Sequence, residues 1–141
     1  MLYKDFYSEL GKLLYAVADI DGVITKKEKL RLQDIVRKEL APGEIHRDKF
    51  GTDVAYYTEF EFDVLDEEIA DAETAFYSFI DFVEAHRNRF AESMRKASIR
   101  ITRELAAAYR RTNRKEKILL DILQYKLNNL DNPLRNSMPH I

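Results

Sequence analysis

Cysteine is absent from the 141 residues, and glycine and proline are scarce, at four and three. Without thiols there is no thiolate zinc site, no redox dithiol and no cysteine nucleophile, while the compartment stays undetermined. No disulfide is needed either, because a chain of this length buries roughly 68–70% of its extended surface on folding. Glycine and proline fall well below their usual joint share of about 12%, so the punctuation that many short strands require is missing. No apolar run is longer than Leu13 to Ala18, far short of the ~18 residues that mark a membrane span. Lys4, Asp5, Glu9 and Lys12 break up the N-terminal stretch and leave no signal-peptide core. The expectation is a single cytoplasmic domain with no membrane span.

What the sequence does contain is helical periodicity. Leu2, Phe6, Leu10, Leu13, Leu14 and Val17 recur at steps of three and four, the face of a first helix ending near Asp19. A second is predicted from Lys26 to Leu40, stopped by Pro42-Gly43, with a loop over 41–51. Thr52 or Asp53 can cap a third helix with two apolar rows, Tyr57, Phe60, Val64 and Phe62, Leu65, Ile69, which predicts that it is largely buried. Phe60, Phe62 and Val64 also alternate with acids as a strand would, but a lone strand leaves its backbone groups unpaired, so helix is preferred. A fourth helix is predicted from Ala72 to about Asn88, a fifth from about Ala91 to Arg111 and a sixth from Ile118 to Leu130. The fold class is therefore all-α, an orthogonal bundle of about six helices over residues 1–130, with 131–141 as a disordered tail.

Thr25-Lys-Lys-Glu28 and Asn113-Arg-Lys-Glu116, 88 positions apart, both have the form of a capping box and both precede an apolar helix. They raise the prospect of an internal pseudo-repeat of a helix pair. The stretch Leu13-Leu-Tyr-Ala-Val-Ala-Asp-Ile-Asp-Gly-Val-Ile-Thr-Lys-Lys-Glu28 resembles the signature of the TerB-like tellurite-resistance family. In that family an alanine-rich helix runs into an Asp-Gly turn and then a Glu near the start of the next helix. Ala16, Ala18, Asp21, Gly22, Ile24 and Glu28 carry the match. The resemblance implies an all-helical bundle and an accessory role in metal or oxyanion stress, with no catalytic mechanism to carry over. Tyr109-Arg110 stands where a second Asp-Gly would fall, so a two-site scheme is not expected.

Asp19, Asp21, Gly22, Ile24 and Glu28 also overlay positions 3, 5, 6, 8 and 12 of an EF-hand loop. Position 1 is Val17, which leaves the oxygen cage open. The first expectation for the turn is structural: Gly22 in a left-handed conformation, Ile24 packed as a staple, Thr25 and Glu28 capping the second helix. The other is a weak site for Ca²⁺ or another divalent cation at Asp19, Asp21 and Glu28, with affinity weaker than ~10⁻⁴ M. No other cofactor is expected.

Charge is segregated along the chain. Residues 50–86 hold eleven Asp and Glu and no Lys or Arg, whereas 87–117 hold eleven Lys and Arg against Glu92, Glu104 and Glu116. Lys96, Arg100, Arg103, Arg110 and Arg114 share one face of the fifth-helix region, opposite Met94, Ile101 and Leu105. That stripe is read first as a solvated face complementing the acidic third and fourth helices, then as a surface for an acidic protein partner. Such a stripe can also track phosphates, but the net charge is −2, and nucleic acid is not the expected partner. His46, His86 and His140 are scattered, and no Gly-x-Ser-x-Gly, phosphate loop or His-Glu-x-x-His occurs. Carboxylate pairs such as Glu59 with Asp63, or Glu67 with Asp71, offer acid–base geometry only in principle. The function expected is therefore a non-enzymatic interaction or accessory module with an unidentified protein partner.

Overall fold

The computed structural model describes residues 3–20, 22, 24–40, 54–109 and 114–130. They form six helices: α1 (Tyr3–Asp19), α2 (Lys26–Leu40), α3 (Val54–Glu68), α4 (Ala72–Ala85), α5 (Glu92–Tyr109) and α6 (Arg114–Asn128). No strand occurs among the described residues, so the fold is an all-α bundle and segment 58–64 is helical. The predicted tail and the predicted caps Thr52, Asp53 and Asn113 lie outside the described residues.

The bundle is organised around α1, which packs against α3, α4, α5 and α6. Every residue from Leu13 to Ala18 is buried, so the alanines and leucines of this run are enclosed on all sides, as an apolar circumference demands. Gly11 allows the closest approach: a Cβ there would lie 2.5 Å from the carbonyl oxygen of Thr58 on α3. Thr58 Oγ1 donates to Tyr7 O at 2.8 Å across the same contact. On the α4 side, Glu9, Lys12 and Ser78 form a polar knot, Lys12 Nζ to Glu9 Oε1 at 2.9 Å and Ser78 Oγ to Glu9 Oε2 at 3.1 Å.

Burial of α3 departs from expectation. Phe62 is fully enclosed, but Tyr56, Phe60 and Ile69 are 55%, 53% and 85% exposed. The helix rests on α1 and α2, so each predicted row is covered only in part: Phe62 and Leu65 of one and Tyr57 of the other meet the core, while Phe60 and Ile69 do not. Helix boundaries also shift. Asp71 caps α4 by accepting from the Thr74 N–H at 2.9 Å, and the helix stops at Ala85, short of the predicted Asn88. Helix α6 begins at Arg114, where the capping box over 113–116 places it and a full turn before the apolar stripe that starts at Ile118. Its buried face includes Glu116 and Lys126, the latter 3.1 Å from Glu84 on α4. The two pairs of the sequence echo differ in packing: α6 lies along α5, whereas α2 packs on α3 and α5.

Candidate functional site

Two places bring together the residues singled out by sequence. The first is the turn joining α1 to α2. Its hydrogen bond runs from the Gly22 N–H to Asp19 O at 2.9 Å. Gly22 has φ +134°, a region open to glycine at no steric cost. Thr25 and Glu28 make a reciprocal box, Thr25 N–H to Glu28 Oε1 at 3.0 Å and Glu28 N–H to Thr25 Oγ1 at 3.1 Å. Two donors at the start of α2, which the helix itself cannot satisfy, are thereby paired. Ile24 is half-buried against the core.

Asp19 lies beside the buried Tyr15, whose hydroxyl donates to Ala70 O at 2.7 Å in the α3–α4 turn. Burial, reinforced by the charges of Asp19, Asp66 and Asp71, holds the Tyr15 phenol protonated well above its usual pKa. Lys29 spans to α3, 3.1 Å from Asp63 and 3.4 Å from Asp66. Burial alone lowers its pKa, but these two carboxylates outweigh that and raise it. Of the candidate cation ligands, then, Asp19 is engaged beside Tyr15 and Glu28 holds the α2 cap, while Asp21 lies outside the described residues. Among the described residues no three His, Asp or Glu side chains converge on one point.

The second place is the basic face of α5. Lys96 pairs with Glu92 at 3.4 Å within the helix, Arg100 Nε with Glu39 of α2 at 2.8 Å, and Arg103 bonds Gln124 of α6. Arg114 is exposed on the first turn of α6, and Arg110 lies outside the described residues. The hydrogen bond with Glu104, ahead of the charges of Arg100 and Lys38, holds the Glu39 carboxyl below its usual pKa. Complementarity between α5 and the acidic helices, predicted from the charge blocks, is thus corrected. The basic face of α5 is tied to α2 and α6, and it is α2 that meets acidic α3, through Lys29 and through Arg37 at 3.2 Å from Glu59. Three of the four carboxylates of the proposed acid–base pairs are likewise engaged: Glu59 and Asp63 by these cations, Asp71 by its cap.

Between α2 and α5 lies an open cleft of about 870 Å³. Leu30, Ala107 and Ala108 provide its apolar surface, and Lys27, Glu28, Arg31, Asp34 and Glu104 its charged rim. Sequence periodicity does not announce it, because a cleft depends on how two helices diverge. No family model, curated protein or solved structure matches the chain.

Proposed function

We propose that the chain is a non-catalytic interaction module, a TerB-like accessory domain that serves metal or oxyanion stress in the cytoplasm by docking a protein partner. The observation that supports docking is the α2–α5 cleft. Leu30 stands 57% exposed in it, whereas every other leucine whose side chain is described is buried or half-buried. An apolar contact ringed by charges of both signs suits a partner segment of mixed polarity. The stress assignment rests on the resemblance of residues 13–28 and on nothing in the cleft. A cation site at Asp19, Asp21 and Glu28 has less support, since Glu28 serves the α2 cap. A nucleic-acid surface at α5 has less as well, since Arg100 and Arg103 tie helices together.

The test compares wild type with Leu30→Glu. An exposed substitution of this kind leaves stability within about 0.5 kcal/mol. Affinity capture from the native host should recover a protein with wild type and lose it with the variant. Equal recovery overturns the cleft as the docking site. A deletion strain whose tolerance of tellurite and of metal ions equals that of its parent overturns the stress assignment.

A further inference from the structure

The α3–α4 turn breaks two folding preferences at one residue. Ile69 has φ +52°, the left-handed conformation that helix ends normally reserve for glycine or asparagine, and that penalises a β-branched side chain. It is also 85% exposed, more than any other large apolar side chain among the described residues. The turn is nonetheless well defined. The Ile69 N–H donates to Asp66 O at 3.2 Å, the Ala70 N–H to Leu65 O at 3.0 Å, and Tyr15 anchors Ala70 O from the core at 2.7 Å. A buried tyrosine thus holds a turn that presents an isoleucine to solvent. Nothing in the packing of the domain explains this choice, because glycine or asparagine serves the backbone better and any polar residue serves the surface better. Around it Glu67, Glu68 and Asp71 are all exposed, and Lys29, the cation that α2 brings to this end of α3, is taken up by Asp63 and Asp66.

We propose that Ile69 is the apolar anchor of a second docking surface, whose occupant is a cationic amphipathic helix of a partner protein. Apolar side chains of that helix cover Ile69, and its Lys or Arg side chains lie against Glu67, Glu68 and Asp71. The charge of the surround selects the sign of the partner, and the isoleucine supplies the desolvated contact that long-range charge alone does not. This surface is independent of the α2–α5 cleft, so its failure leaves the Leu30 result untouched, and the converse holds.

The experiment uses the full chain, uniformly ¹⁵N-labelled, with an 18-residue amphipathic Leu/Lys peptide as probe and the Leu/Glu peptide of the same pattern as control. Amide shifts centred on residues 67–72 with the cationic peptide, and none with the anionic one, are expected. Ile69→Asn should weaken binding at least tenfold while its denaturation midpoint stays at or above that of wild type. Glu67→Gln with Glu68→Gln should weaken binding less and flatten its salt dependence. Four results overturn the proposal: no binding by wild type, undiminished binding by Ile69→Asn, shifts centred on the α2–α5 cleft, or a lowered midpoint in Ile69→Asn, which would assign the isoleucine to folding. Self-association of the free chain that Ile69→Asn abolishes also overturns it, by making the occupant a second copy.

Discussion

Gly11→Ala tests the central packing step of the fold. In an unconstrained helix interior the change is favourable by about 1 kcal/mol, because alanine has the higher helix propensity. Here the new Cβ would sit 2.5 Å from Thr58 O, 3.0 Å from Glu61 Cβ and 3.3 Å from Thr58 C. Two of these three atoms are backbone, so no rotamer relieves the contact. Ordinary van der Waals distance requires α1 and α3 to separate by about 0.9 Å. Overpacking of this kind costs typically 1–3 kcal/mol. The same movement stretches the buried bond from Thr58 Oγ1 to Tyr7 O, one turn away along α1, for about 1 kcal/mol more.

The unfavourable contributions exceed the propensity gain, and the expected net loss is about 2 kcal/mol, equivalent to a fall in Tm of roughly 5–10 °C for a domain of this size. Urea denaturation followed by helical circular dichroism measures it, with an unchanged m-value confirming that only stability has moved. A midpoint equal to or above that of wild type would show that α1 and α3 do not meet at Gly11, and the central position of α1 would have to be abandoned.

Two further perturbations address the sites. Thr25→Ala removes the acceptor of the Glu28 N–H and should cost about 1 kcal/mol, equally with and without millimolar calcium; a loss that calcium repairs would make Glu28 a cation ligand. For Glu39, whose carboxyl is held below its ordinary 4.5, stabilisation is present above that value and disappears as pH falls through the lower, folded value. Arg100→Gln should therefore cost at most ~1 kcal/mol at pH 7, since the Arg100 side chain is 53% exposed, and the gap to wild type should close below pH 4.5; a gap that widens in acid refutes the pairing.

What sequence revealed and what it concealed divide along the range of the interactions. The limits of α2 coincide with expectation, Lys26 to Leu40, because a capping box at its start and Pro42-Gly43 beyond its end are local signals. The start of α6 at Arg114 is the one that the capping box over 113–116 indicates, whereas the apolar stripe begins only at Ile118, because Glu116 occupies a place on the buried face. The exposure of Tyr56 and Phe60 was hidden: an apolar row is legible, but whether a neighbour covers it is decided by the placement of α1 and α2. Likewise the charge blocks were plain, yet the choice of Glu39 and Gln124 as partners for Arg100 and Arg103 follows from which helices flank α5. Ile69 gave no signal, since its left-handed turn lacks the glycine by which such turns are recognised.

The Asp-Gly turn shows why the most recognisable stretch of the chain is the least informative about chemistry. Ala16 and Ala18 are enclosed by the bundle around α1, Ile24 packs on the core, and Gly22 takes the φ that the turn requires. Glu28 satisfies the N–H of Thr25, and Asp19 lies against Tyr15. Each of these side chains has a role in joining α1 to α2, so a similar pattern is favoured wherever two helices are joined this way, whatever the domain goes on to bind. Residues selected for recognition are expected instead where a position contradicts the needs of folding. Leu30 in its cleft contradicts them by exposure, and Ile69 contradicts them by exposure and backbone conformation together, which places the search for partners on those two surfaces rather than on the motif.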